Sequence, residues 1–304
     1  MKTYPRFPID ATLVSGVRAE CFTDVTSAVL VEPRVFFMPF VANYHTHTFR
    51  CDHASGDCID YAHIADRAGL KILGFSDHTP LPDDRWADMR MTMDQLDEYE
   101  IAVKLARAAY PRMRMLIGLE CEFSDAYSGW YRDEIFGRRG YDYLIAGCHY
   151  TPHDGRWVPS FGQLITPALL KAYANYTVKT MESGLFAFIT HPDIIGCSHA
   201  EWSNDLAACA ADICAASVAL KVPLELNSYG FRKPWVSSAN GNRPAYPWEP
   251  FWAIAARHGV QVVLSSDAHQ PQDVVAGYDL VAAIRDRYGL VEADLSHLGG
   301  RFVS

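Results

Sequence analysis

No apolar run in this 304-residue chain approaches the length of a bilayer span, for which about 20 residues are needed. Residues 1–20 also lack the apolar stretch and small-residue cleavage site of a signal peptide. The eight cysteines contain no Cys-x-x-Cys pair, and Cys121, Cys148 and Cys197 sit in or beside apolar runs. They read as reduced thiols of a cytoplasmic protein, with pairing or metal binding left open only for Cys51 and Cys58. No Lys/Arg block accompanies the net charge of −9, which argues against an extended nucleic-acid face but allows a local cationic pocket. A Gly-x-Ser-x-Gly elbow is missing, which weakens serine-hydrolase readings. Beyond residue 38 there is no linker, repeat or low-complexity stretch, so residues 38–304 are expected to form a single domain. Residues 1–37, with Pro5, Pro8, Pro33 and the weak apolar run Ala28–Val31, form an extension to which no role is assigned.

What is present is a regular alternation. Seven short apolar runs stand out: Val41–Tyr44, Ile72–Phe75, Met113–Leu119, Tyr143–Cys148, Leu185–Ile189, Val222–Leu226 and Gln261–Leu264. Helical periodicity marks Asp57–Ala68, Met93–Ala109, Pro167–Ser183, Asn204–Leu220 and Gln272–Tyr288 between or after them. Gly69, Gly184 and Gly289 follow helical patterns, Asn204 can start one, and Pro250 suits a first helical turn. Strands and helices in this order predict a parallel sheet, and continuously apolar strands predict burial on both faces.

The runs end in polar residues: His45 and His47, Asp77 and His78, Glu120, His149, His191, Asn227, then Asp267 and His269. In a closed α/β barrel the C-terminal strand ends share one mouth, where active sites are built. His45 and His47 point the same way if extended and form a ready chelate. With His53 they bring the candidate metal ligands to nine: His45, His47, His53, His78, Glu120, His149, His191, Asp267 and His269. A single metal takes three or four protein ligands, so two to three ions are expected, with Glu120 the natural bridge. Imidazole and carboxylate donors suit Zn, Mn or Fe. His63, His153, His199, His258 and His297 read as surface or helix residues.

Charge points to the substrate class. Seven neutral imidazoles and two carboxylates give −2, and three divalent ions would bring the site to about +4. Such a site suits a small phosphate ester, whose phosphoryl oxygens divalent ions polarise while activating a bound water. No side chain is assigned as nucleophile, and Cys148 is discounted because neighbouring strand residues face opposite ways. Arg232, in Gly230-Phe-Arg232-Lys-Pro234, is the first candidate for phosphate binding, since a guanidinium matches phosphate bidentately. Arg90, Arg156 and Asn227 are further candidates. Trp86, Trp130, Trp157, Trp235 and Trp248 follow strands and offer aromatic walls.

Together these pieces resemble the polymerase-and-histidinol-phosphatase (PHP) superfamily. The matching segments are His45-Thr-His47-Thr … Cys51-Asp-His53, Phe75-Ser-Asp77-His78, Gly118-Leu-Glu120, Gly147-Cys-His149, Thr190-His191-Pro192 and Ser266-Asp267-Ala-His269. Met89-Arg90-Met91, Glu225-Leu-Asn227, the Arg232 segment and Tyr246-Pro247 resemble its histidinol-phosphatase branch. The resemblance implies a distorted seven-stranded (β/α) barrel and a trinuclear site. One ion would sit on His45, His47, Glu120 and Asp267, a second on Glu120, His149 and His191, a third on His53, His78 and His269. It also implies hydrolysis of L-histidinol phosphate to L-histidinol and phosphate, in histidine biosynthesis. Residues 1–37 and the loop Gly196–Trp202 depart from the pattern. A PHP-type phosphodiesterase acting on a nucleotide, an amidohydrolase-type deaminase and a non-catalytic metal-binding barrel are the rival readings. The deaminase is disfavoured because no Lys ends a strand. Neither a membrane nor a nucleic-acid partner is expected.

Overall fold

The computed structural model describes residues 40–299; the extension over residues 1–37 lies outside them. All described residues belong to one compact unit. Strands β1 (Ala42–Asn43), β2 (Ile72–Phe75), β3 (Arg114–Cys121) and β4 (Tyr143–Ala146) pair in parallel, in that order. An antiparallel hairpin follows, β5 (Tyr150–His153) with β6 (Arg156–Pro159). Further on, β7 (Leu224–Asn227) pairs in parallel with β10 (Gln261–Ser265), and β10 with β11 (Val291–Glu292). A second hairpin, β8 (Val236–Ser238) with β9 (Gly241–Arg243), lies between them in sequence.

Of the expected strand Leu185–Ile189, Ile189 bridges Ala146 on one side and Leu224 on the other, while the Ala187 N–H donates to Leu144 and the Phe188 carbonyl accepts from the Ala146 N–H. The Ile189 N–H donates to the Pro223 carbonyl at 3.1 Å and the Ile189 carbonyl accepts from the Glu225 N–H at 2.9 Å, but the next rung on this side would need an N–H on Pro223, which has none. Single bridges also link Thr46 with Ala268 and His78 with Glu120. The parallel sheet is therefore curled, each successive strand handing on to the next.

Helices cover the outer face. They are α1 (Cys58–Ala68), α2 (Gln95–Ala109), α3 (Ser128–Trp130, continuing as a π-helical stretch over Tyr131–Arg138), α4 (Pro167–Glu182), α5 (Asn204–Leu220), α6 (Glu249–His258) and α7 (Tyr278–Tyr288). Local chemistry fixes their starts. Asp57 and Asp60 form a capping box on α1, Thr166 caps α4 with Pro167 in its first turn, and Ser203, not Asn204, caps α5. The periodic run beginning at Gln272 becomes helical only at Tyr278, because a 3₁₀ turn over Pro271–Asp273 and left-handed Gly277 (φ 72°) intervene.

Two apolar clusters fill the molecule. The larger packs strands against helices, with Trp252, Phe251, Tyr173, Tyr99 and Phe75 fully buried. The smaller contains no helix residue: Tyr44, Leu116, Tyr143, Ile145, Phe188, Val263, Leu295 and Leu298. It therefore occupies the other, concave side of the sheet. Tyr143 reaches across it to donate to the Tyr44 carbonyl at 2.7 Å. A Cβ at Gly74 or Gly118 would lie 2.2 or 2.6 Å from the Tyr143 side chain, so both positions must be glycine for the ring to fit. With this filling in place, the residues just beyond the strands are left to form a site.

Candidate metal centre

β1 gives way after Asn43 to His45 and His47. Asn43 is itself anchored, donating to Ser266 Oγ (2.7 Å) and the Val274 carbonyl (2.9 Å) and accepting from the His45 N–H at 3.0 Å. The two imidazoles are fully buried, with Nε2 atoms 3.0 Å apart. Glu120, near the end of β3, meets two groups of histidines with its two oxygens. Its Oε2 lies 3.4 Å from His45 Nε2, 3.5 Å from His47 Nε2 and 3.2 Å from His78 Nδ1. Its Oε1 lies 3.5 Å from His149 Nε2 and 3.3 Å from His191 Nε2. Asp267, just past β10, approaches His45 (3.5 Å), His47 (3.2 Å) and His269 (3.3 Å). His53 completes the ring of imidazoles, its centroid 4.9 Å from that of His269 and 5.3 Å from that of His78. All nine residues named from the sequence thus converge.

Two of them hold unusual backbone. His191 (φ 28°) and Asp267 (φ 49°) lie on the left-handed side that side-chain-bearing residues avoid. Gly147 is required for a different reason: a Cβ there would stand 2.2 Å from the His149 ring and 2.6 Å from Glu120 Oε1.

The charges are strongly coupled. Burial alone would raise Glu120, but the imidazoles of His149, His45 and His78 hold it well below the usual carboxylate range. Burial is likewise outweighed at Asp267, which His45, His47 and His269 keep well below its ordinary value. Against the burial that disfavours its cation, His45 is pushed up to about 10 by Asp267, Glu225 and Glu120. His78, His269 and His53 are lowered, by burial first and then by the positive charge of His47. One end of the cluster therefore collects protons and the other excludes them. Divalent ions, which bind deprotonated ligands, would displace the first and stabilise the second. The donor set fits such ions: His45, His47 and Glu120, or His78, Glu120 and His149, offer atoms within 4.8 Å of one another. Asp267 Oδ1 and the Nδ1 atoms of His78 and His191 are buried without a hydrogen-bond partner.

Residues behind the cluster orient it. Glu225, on β7, is fully buried. Its Oε1 accepts from His45 Nδ1–H (2.7 Å) and Ser265 Oγ (2.6 Å), and its Oε2 from the His191 N–H (2.8 Å) and Asn227 Nδ2 (2.9 Å). A carboxylate only accepts, so His45 keeps a proton on Nδ1, and Nε2, which faces Glu120 and Asp267, is the nitrogen that would yield its proton to an ion. Asp77 takes the Thr48 amide and hydroxyl and the His78 N–H, and lies 3.6 Å from His47 Nδ1. Cys148 points away from the cluster, buried beside Thr177 and Thr180, and burial pushes its thiol up to about 12. Cys51 and Cys58 are unpaired.

A cavity of about 290 Å³ opens over the cluster. Its polar floor is His53, His78, Glu120, His149, His191, Asp267 and His269. Its walls include Arg90 and Lys233, and Met89, Tyr150, Phe161, Ile194, Cys197, Tyr229 and Tyr246. Trp86 stacks on Tyr150 from outside (3.9 Å, 8°), and Tyr229 stacks on His269 (4.7 Å, 12°). The expected phosphate ligands fare differently. Arg90 lines the cavity. Arg232 does not: its guanidinium donates to the carbonyls of Ser228, Ser266 and Ala276 and pairs with Asp273, so it fastens the turn before Lys233. Arg156 is exposed at the hairpin tip. Asn227 is spent on Glu225, on Asp267 Oδ2 (3.0 Å) and on the Tyr229 N–H (2.7 Å). Glu122, Lys233 and Tyr229 were not assigned from the sequence, nor was any role for Glu225. The signal for the two glutamates was two-residue parity, with Glu122 on the face of Glu120 and Glu225 on that of Asn227.

The PHP domain family matches residues 43–228, more than half of the chain. The chain belongs to the PHP domain family. A Deinococcus radiodurans protein named "Probable histidinol-phosphatase" is 32% identical over 258 residues, covering 82% of this chain and 94% of that one. A Schizosaccharomyces pombe protein of the same name is 23% identical, covering 83% and 88%. In fold, the chain is similar to histidinol phosphate phosphatase from Lactococcus lactis, solved with zinc, L-histidinol and phosphate. That match has a TM-score of 0.63 and 15% identity, covering 83% of this chain and 95% of that one.

Proposed function

We propose that this PHP protein is a phosphoric monoester hydrolase that converts L-histidinol phosphate to L-histidinol and phosphate. The observation that carries the reading is Glu120, whose two oxygens face separate sets of imidazoles on the floor of a cavity large enough for one small ester. The D. radiodurans relative, matched over nearly its whole length, points the same way. We read the succession of parallel pairings as a distorted seven-stranded barrel spanning a single domain, residues 38–304, with the cluster at the C-terminal strand ends.

Two to three divalent ions fit. His45, His47, Glu120 and Asp267 would hold one, Glu120, His149 and His191 another, and His53, His78 and His269 a third. When bound, such ions polarise the phosphoryl group and activate water. The chain's own part is arrangement. Glu225 keeps the lone pair of His45 turned inward. Arg90 and Lys233 supply positive charge on the walls for phosphate oxygens. The apolar and aromatic wall of Met89, Tyr150, Phe161 and Ile194 takes the leaving alcohol and limits water there. The seven free cysteines among the described residues suit a reducing, cytoplasmic setting. No helix among the described residues is long and apolar enough to cross a membrane.

The test is phosphate release from L-histidinol phosphate by Zn- or Mn-loaded protein, beside other monoesters, a nucleotide and a phosphodiester. Strong selectivity for histidinol phosphate is the expected outcome. Faster cleavage of the diester or nucleotide would replace this reading with a PHP phosphodiesterase.

A further inference from the structure

Glu122 lies two residues beyond Glu120, just past β3, and is fully buried. Its Oε1 accepts from His149 Nδ1–H at 2.7 Å and from Arg90 Nη2 at 3.3 Å. Arg90 is only 3% exposed, so its charge has little water to compensate it. It also donates to the Thr79 carbonyl at 3.4 Å, and its guanidinium lies 5.3 Å from the centroid of the Trp86 ring. A buried guanidinium this close to a cavity keeps its place only if a carboxylate neutralises it. Here the neutralising oxygen is the same atom that takes the proton of His149. His149 Nε2 then faces Glu120 Oε1, 3.5 Å away, and is the nitrogen left for an ion. The other Glu122 oxygen is buried without a partner, so no third group shares the task.

We propose that Glu122 is a positioning residue that sets two things at once: the tautomer of His149 toward the bound ions, and the attitude of Arg90 toward the phosphate. Ion binding and phosphate binding are thereby joined through one carboxylate, which touches neither ligand. The proposal rests on the site being a metal-dependent phosphatase site, but not on histidinol as the leaving group.

The test uses the Zn-loaded full chain with two readouts that need no turnover. In Glu122→Leu, which removes the acceptor shared by His149 and Arg90, zinc affinity measured against a competing chelator should fall about 10- to 100-fold, as for other outer carboxylates of ligating histidines. The Kd for inorganic phosphate should rise about tenfold. Arg90→Ala should reproduce the phosphate defect and leave zinc content intact. Glu122→Asp, which keeps the charge, should recover part of both. A Glu122→Leu protein with undiminished zinc and phosphate affinity would overturn the proposal. Should that variant fail to fold, the ¹⁵N spectrum of zinc-loaded wild-type protein decides. A proton on His149 Nδ1 supports the assignment, and one on Nε2 refutes it. None of these outcomes depends on whether histidinol phosphate is turned over.

Discussion

Glu225→Gln keeps the shape of a buried side chain and removes half of its acceptors. The carboxylate takes four donors, two on each oxygen. A glutamine has one acceptor oxygen and one NH₂, so in either orientation two of the four donors face an N–H. If the NH₂ replaces Oε2, it meets the His191 backbone N–H, which cannot move, and Asn227 Nδ2. Asn227 cannot flip to help, because its Oδ1 holds the Tyr229 N–H and its Nδ2 holds Asp267. Two charge-assisted bonds would go, about 3–6 kcal/mol. If the NH₂ replaces Oε1, the Ser265 hydroxyl rotates away, and His45 moves its proton from Nδ1 to Nε2 and accepts instead. That repair costs the fold only about 1.5–3 kcal/mol, a fall in Tm of about 3–12 °C. It also puts a proton where a ligand lone pair belongs. The variant should therefore fold, melt modestly earlier and bind zinc about 10- to 100-fold more weakly. Thermal unfolding and chelator competition on the same preparation give both numbers. A variant that loses 20 °C yet keeps wild-type zinc affinity would refute the argument, since the glutamine would have chosen the other orientation.

Gly147→Ala forces a methyl against His149 and Glu120, so zinc content and turnover should both drop while the outer helices keep their circular dichroism. Asp57, paired with Arg50 at 2.6 Å, is held below its ordinary value: burial would raise it, but Arg50 and the Cys58 N–H lower it further. A depressed carboxylate contributes stability that is complete above pH 3.8 and disappears as pH falls through the folded value. Asp57→Asn should thus lower Tm at pH 7, by about 1–2 kcal/mol of stability, and the two curves should converge in acid; parallel curves would contradict the pairing. Arg232→Ala should destabilise by about 1.5–3 kcal/mol through its lost carbonyl contacts, with zinc content unchanged and a much smaller effect on phosphate Kd than Arg90→Ala. Arg156→Ala should stay within about 0.5 kcal/mol of wild type and keep full turnover.

The convergence of the nine candidate ligands was legible in the sequence because all but His53 lie at or just after apolar runs, and strand ends in a parallel α/β fold converge. Side-chain destination was less so. Arg232 follows a strand end like a phosphate ligand, yet its guanidinium is taken up by carbonyls of the loops beyond β7 and β10. Asn227 ends β7 as the candidate ligands end their strands, but Glu225, Asp267 and the Tyr229 N–H claim it. Leu185–Ile189 lies between β4 and β7 as its composition suggested, but Pro223 lacks the N–H that a further rung toward β7 would use. The two hairpins escaped notice because β5, β6, β8 and β9 are short and carry polar or exposed residues, unlike the buried parallel strands.

The left-handed backbones of His191 and Asp267 have a consequence for the protein's life in the cell. Each such conformation costs on the order of 1–3 kcal/mol, and it is spent where carboxylates and imidazoles are already crowded together out of water. The site works against the fold that carries it until ions arrive. Ions that bind only the folded chain act as folding ligands, adding about 2.7 kcal/mol when present at a hundred times their Kd. The supply of divalent metal would then govern how much of this protein persists, as well as how fast each molecule works.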